Sequence, residues 1–144
     1  MDEKYLIFTI RDKQYALPSK IISEVAALDR IFPLPLLPDY VRGLINRYSI
    51  PYALIDICCL FFKEASGAGK LIVLKEEVDN IAFLIDDVTD IADLPPDKLM
   101  NIEQKESSLD GLINAFFEWK GNQVFCLDTA EIIGRVKQDF EREV

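Results

Sequence analysis

Residues 15–28, YALPSKIISEVAAL, decide the fold once they are laid over residues 81–94, IAFLIDDVTDIADL. At that offset, 81 − 15 = 66, Ala16 falls on Ala82, Leu17 on Phe83, Ile22 on Val88, Glu24 on Asp90, Val25 on Ile91, Ala26 on Ala92 and Leu28 on Leu94. YLIF at 5–8 lies over LIVL at 71–74 in the same register. Self-similarity at a fixed spacing marks an internal repeat. Further along, GLIN occurs verbatim at 43–46 and at 111–114, an offset of 111 − 43 = 68, and ALID at 53–56 faces FCLD at 125–128, an offset of 125 − 53 = 72. A drift from 66 to 72 is what insertions in connecting loops produce. Two units are too few for a solenoid, whose repeats need neighbours on both sides, so the pattern predicts paired subdomains.

Each unit reads as short strands. YLIFTI, the polar RDKQ and YALPSKIISEV form a β-run, a turn and a second β-run, and KLIVL, KEEVDN and IAFLIDDVTDI repeat the arrangement. A loop follows in each copy, FPLPLLPDY at 32–40 and PPDKLMNIEQKESSLD at 95–110. The prolines of the first exclude a central strand and favour an extended wrap over the surface. The leucines between Pro35 and Pro38 point to packing rather than to a polyproline ligand. GLIN is then expected to open the same hairpin in each copy, with turns near residues 47–51 and at Lys120-Gly121-Asn122-Gln123. Both hairpins end at an aspartate, Asp56 or Asp128, placed to cap a helix by accepting from the first-turn N–H groups. Glu131 completes a capping box, and Ile132, Ile133, Val136 and Phe140 give a C-terminal amphipathic helix its apolar stripe. ICCLFF at 57–62 is the shorter helix of the first copy, and EASGAGK at 64–70 is the linker. The expected architecture is all-β with short helices, two small barrels in tandem.

Composition narrows the function classes. Half of the 144 residues are apolar, so a real core forms. A net charge of -9 argues against a nucleic-acid ligand, which needs clustered Lys and Arg. The acidic start of the chain does not read as a signal peptide. The longest apolar stretch, residues 50–62, contains Pro51 and Asp56 and falls short of the roughly 20 residues that span a bilayer. Three cysteines, two of them adjacent, read as buried reduced thiols of a cytoplasmic protein. There is no histidine, which removes the commonest general base and the commonest zinc ligand. No catalytic, metal or cofactor site is expected. Asp86, Asp87 and Asp90 offer a receiver-like phosphoacceptor as the rival class, but a charged strand edge accounts for them. Barrel ends could also recognise their own copy and give a homo-oligomer.

YLIFTIRDKQYALPSKIISEV, PLLPDYVRGLIN, IPYALID and LIVLKEEVDNIAFLIDDVTDIADL resemble the CheW family of bacterial chemotaxis coupling proteins over about residues 4–136. The resemblance implies one CheW-like domain over 1–144, made of two SH3-like five-stranded β-barrel subdomains at about 15–65 and 71–128. Its N- and C-terminal segments are then available for exchange between the barrels. It further implies a cytoplasmic, non-catalytic scaffold recruited to membrane receptor arrays. Its partners would be the regulatory domain of a CheA-type histidine kinase and the cytoplasmic tip of a chemoreceptor. By position, Ile22, Glu24, Gly43, Asn46, Tyr48, Thr89 and Ile91 fall on or beside partner surfaces. Where the family reads N-x-R-G-x-x-x-P-V-x-D, this chain reads NRYSIPYALID, so Tyr48-Ser49 replace Arg-Gly and Ala53 replaces the proline. That departure bears on receptor contact, because a fixed bidentate donor is missing. It raises the alternative of a diverged member serving another motility or signalling pathway.

Overall fold

The structure is a computed structural model that describes residues 2–67, 69–102 and 111–143. Its strands are β1 (Glu3–Ile10), β2 (Lys13–Pro18), β3 (Ile22–Ala27), β4 (Val41–Arg47), β5 (Ile50–Asp56), β6 (Lys70–Leu74), β7 (Ile81–Ile85), β8 (Asp87–Leu94), β9 (Met100–Asn101), β10 (Ile113–Trp119) and β11 (Asn122–Leu127). Two helices follow the hairpins, α1 (Ile57–Phe62) after β5 and α2 (Thr129–Glu143) after β11. The strands form one sheet in the order β8-β1-β2-β11-β10-β9 and another in the order β3-β6-β7-β5-β4. The mostly-β class with few helices is as the sequence predicts.

The repeat is visible in the pairing. The hairpin β1–β2 leaves its own copy and joins the second: β1 lies antiparallel to β8 and β2 lies parallel to β11. The hairpin β6–β7 makes the reciprocal move, β6 antiparallel to β3 and β7 parallel to β5. A division at 15–65 and 71–128 therefore does not follow the sheets. The exchanged pieces are the leading hairpin of each copy, while α2 packs into the core that both sheets share.

This exchange explains the apolar runs. Along β1, Tyr5 and Ile7 point into a core of the six-stranded sheet with Ala16, Phe117 and Val124, whereas Leu6, Phe8 and Ile10 point into a second core between the sheets. Along β7, Ala82 and Leu84 enter the core of the five-stranded sheet, and Ile81, Phe83 and Ile85 enter the shared one. A strand buried on both faces loses the apolar–polar alternation of a surface strand. Edge strands β3 and β8 instead alternate exposed positions with less exposed ones.

The second GLIN is not the counterpart of the first. Val41 pairs with Ile55 and Ile113 with Leu127, so the hairpins superpose at 113 − 41 = 72, the offset of their aspartates. Gly43 then corresponds to Ala115, and GLIN at 43–46 to Ala115-Phe116-Phe117-Glu118. Gly43 lies inside β4, whereas Gly111 precedes β10. Identical letters four residues out of register had the wrong periodicity, and the strand ends had the right one. The hairpin turns are two-residue turns with both central φ values positive, Tyr48-Ser49 and Lys120-Gly121, the latter one residue earlier than a Gly-Asn centre. Of the second loop, residues 95–102 form a 3-10 turn at Pro96–Lys98 and β9, and residues 103–110 lie outside the described residues. In the first loop Phe32 forms a single bridge to Leu44, the place that β9 takes beside β10.

Candidate functional site

The groups that could do chemistry are engaged in holding the chain. Asp56, fully buried, accepts from Cys59 N at 3.2 Å, from Ser66 N at 2.9 Å and from Arg42 Nη1 at 3.1 Å. One carboxylate thus caps α1, pins the linker and anchors β4. Asp128 accepts from Glu131 N at 3.1 Å at the start of α2. Of the acidic trio, Asp86 accepts from Arg11 N at 2.9 Å, Asp87 pairs with Lys70 at 2.8 Å, and Asp90 accepts from Trp119 Nε1 at 2.8 Å and pairs with Lys120 at 2.9 Å. The Trp119 hydrogen bond, with help from Lys120, holds the Asp90 carboxyl down at about 2, and Lys70 lowers that of Asp87. Burial raises the thiols of Cys58 and Cys59 and pushes Cys126 up to about 12, so the thiol form dominates at neutral pH.

The surface residues gather at two equivalent ends. On the five-stranded sheet, Glu24 of β3 and Arg47 of β4 form an ion pair at 2.7 Å, and the Arg47 guanidinium lies 5.7 Å from the Tyr48 ring centroid. Glu24 raises the Arg47 pKa, which keeps that charge fixed. On the six-stranded sheet, Asp90 of β8 holds Trp119 and Lys120, with Lys120 Nζ 5.8 Å from the Trp119 ring centroid. Glu24 and Asp90 are repeat counterparts, as are Arg47 and Trp119. Each clasp ties the third strand of its copy to the tip of a hairpin; on the five-stranded sheet these are the two edge strands.

The candidate residues divide accordingly. Tyr48 is 84% exposed at its turn and Asn46 is exposed on β4. Thr89 and Ile91 share the outer face of β8, Ile91 at 56% exposure, and its counterpart on β3 is Val25 at 41%. Ile22 is half-buried and packs against the shared core, and Glu24 acts through Arg47. Gly43, expected on or beside a partner surface, lies inside β4. It is buried at φ +139°, and a Cβ there would lie 2.4 Å from Phe32 O. Arg47, Trp119, Lys120 and Val25 were not singled out by sequence. For Arg47, Trp119 and Lys120 the signal is the 72-residue hairpin register, which GLIN obscured; for Val25 it is the offset of 66 that lays it over Ile91.

The chain matches the CheW-like domain over residues 4–137. It belongs to the CheW-like domain family. It is similar to the chemotaxis protein CheW of Klebsiella aerogenes, 21% identical over 100 residues that cover 67% of this chain and 60% of that protein's length. It is also similar to the crystal structure of the scaffolding protein TtCheW from Thermoanaerobacter tengcongensis, with a TM-score of 0.78 and 16% identity, covering 89% of this chain and 85% of that one. The latter likeness establishes the CheW fold. No helix among the described residues is long and apolar enough to cross a membrane.

In this CheW-like domain α2 is the strap between the halves. Ile132 and Val136 sink into the shared core, Lys137 pairs with Asp79 of the β6–β7 turn at 3.1 Å, and Asp139 accepts from the Tyr40 hydroxyl just before β4. Burial and that hydrogen bond raise the Tyr40 pKa, so the phenol stays protonated. The helix thus fixes the two sheets, and with them the two clasped ends.

Proposed function

We propose that this chain is a non-catalytic scaffold of chemotaxis signalling that couples a CheA-type histidine kinase, through its regulatory domain, to the cytoplasmic tips of chemoreceptors. The observation that carries the reading is the pair of equivalent ends, one on each sheet, each with an exposed aliphatic strand position beside a clasped hairpin tip. A module with two such ends can hold two proteins at once, and the gain from linking them is one of effective concentration rather than of reaction chemistry. Membership of the CheW-like family supports the same reading. Such a protein works in the cytoplasm, at the membrane arrays where receptors cluster, and needs no cofactor.

The test is calorimetric titration against the regulatory domain of a CheA-type kinase from the same organism and, separately, against a receptor tip. Micromolar binding to both is expected. Absence of kinase binding at roughly 100 μM, a free energy weaker than about -5.5 kcal/mol, overturns it. One observation favours a second reading. Tyr48-Ser49 stand where the family's Arg-Gly is expected, which suits a diverged member of another motility or signalling pathway; kinase binding without receptor binding is its signature.

A further inference from the structure

Each half of the chain needs the other to make a sheet. Among the described residues, the ladders inside the first half, residues 3–63, are the hairpins β1–β2 and β4–β5. Those inside the second, residues 69–143, are β6–β7, β10–β11 and β9–β10. Every ladder that joins these pieces into sheets runs between the halves: β1–β8, β2–β11, β3–β6 and β5–β7. Strands β3 and β8 find their sheet neighbour in the opposite half. The shared core is drawn from both, Phe8, Leu17 and Ile55 from the first and Phe83, Ile85 and Ile132 from the second. An isolated hairpin is marginal in water, so the halves are obligate complements.

The covalent join between them is slight. Lys63 closes α1 at φ 62°, its N–H donating to Cys59 O at 2.9 Å, and so belongs to the first half. Gly69 belongs to the second, packed so close against β7 that a Cβ would stand 2.1 Å from Ile85 O. Residues 64–68 are all that lies between. Two ties to the first half hold the start of that segment. Glu64 pairs with Arg11 of the β1–β2 turn, and Ser66 N donates to Asp56 at 2.9 Å. Beyond them Gly67 faces open space, with nothing within 4 Å of a Cβ.

We infer that a second copy of this chain partners the first by reciprocal exchange: residues 3–63 of each copy fold onto residues 69–143 of the other, giving a dimer of two complete lobes, with the Asp56–Ser66 hydrogen bond as the latch that keeps a single chain closed. The sheet pairings and core contacts are the same in both forms. They differ in the path of residues 64–68 and in whether the complementary half is tethered or free. Exchange of an identical element is for that reason a low-cost route to a dimer. It uses no new surface, unlike two barrel ends meeting face to face. The clasps survive it, because Glu24 and Arg47 lie in one half and Asp90, Trp119 and Lys120 in the other. Each lobe keeps both ends, and on the scaffold reading above the dimer carries two of each on one tether, a gain in avidity without new contacts.

The experiment unfolds the full chain in urea, refolds it at roughly 1 mM and at roughly 1 μM, and sizes the products by chromatography with light scattering. The dilute product should be monomer. The concentrated one should contain a dimer that, once isolated, survives dilution for hours, since opening a lobe breaks all the ladders between the halves. Lys4 and Asp93 face each other across β1 and β8, so the double variant Lys4→Cys/Asp93→Cys reports connectivity. Oxidation should link two chains in the dimer and close one chain on itself in the monomer. Ser66→Pro removes the N–H of the latch and leaves Asp56 its bonds to Cys59 N and Arg42. It should raise the dimer fraction at least about threefold. A dimer whose cysteines link within one chain overturns the exchange, as does monomer alone from wild type and Ser66→Pro at the higher concentration. A dimer fraction that Ser66→Pro leaves unmoved overturns the latch. None of these measurements involves a kinase, so they fail or succeed independently of the scaffold reading.

Discussion

The hairpins β4–β5 and β10–β11 are built on one frame and end on equivalent acids, yet the acids carry unequal duties. Asp128 begins a helix that its own apolar stripe, Ile132 and Val136, already docks. Asp56 begins a helix of six residues and also holds Arg42 and the backbone of Ser66. The first copy must hand the chain to the second, and its aspartate is where strand, helix and linker meet. Position in a repeat therefore fixes a residue's geometry but not its energetic weight.

The largest effect should come from breaking that asymmetry. Asp56→Ala leaves two backbone N–H groups and a half-buried guanidinium without their acceptor, and should destabilise by about 3–4 kcal/mol. Asp128→Ala removes one cap and should cost about 1 kcal/mol. Urea unfolding of the two variants measures the difference directly. Equal losses would show that Asp56 is only a cap.

Next comes the pair Gly43 and Ala115. Ala115 tolerates its Cβ because β9 pairs beside it in regular register. Gly43 does not, because Phe32 O occupies the Cβ position when Phe32 and Leu44 exchange hydrogen bonds at 2.7 and 2.9 Å. Gly43→Ala should destabilise by about 2–3 kcal/mol, from overpacking and an unfavourable φ together. Ala115→Gly should lose only about 1 kcal/mol, from backbone entropy. A Gly43→Ala variant with an unchanged melting temperature would mean that the Phe32 loop is free to lift away.

Much of this was legible in the residues. The offset of 66 lined up β1, β2 and β3 with β6, β7 and β8, and their core residues coincide: Tyr5 with Leu71, Ile7 with Val73, Ala16 with Ala82. Periodicity could not show which hairpin joins which sheet. A strand buried on both faces reads the same whatever its neighbours, and the choice between own copy and other copy is made by long-range packing. The hairpin register was misread because four matching letters outweighed the aspartates that end both hairpins. The clasps were missed for a related reason. Glu24 was placed, but its partner Arg47 is identifiable only once the tip of β4 is set against Trp119.

The smallest effect sharpens the comparison between the clasps. Asp90 titrates at about 2 in the folded chain, below its ordinary 3.8, because Trp119 Nε1 and then Lys120 bind its charged form. A carboxyl whose folded pKa is depressed adds stability that is fully present above its unfolded value and fades as pH falls toward the folded one. The Asp90 clasp should therefore loosen between about pH 4 and pH 2. Trp119 is the chain's single tryptophan, so its fluorescence reports this end alone. A transition in that window, absent in Asp90→Asn, is the expected result. Asp90→Asn should itself cost little stability at pH 7, since the carboxylate lies near solvent and its ion pair is screened. The Glu24–Arg47 end offers the contrast. Glu24→Gln should leave the Trp119 transition unmoved, because the two clasps belong to separate sheets and share no side chain. A shift of that transition in Glu24→Gln would show instead that the two ends are coupled through the core that α2 and both sheets share.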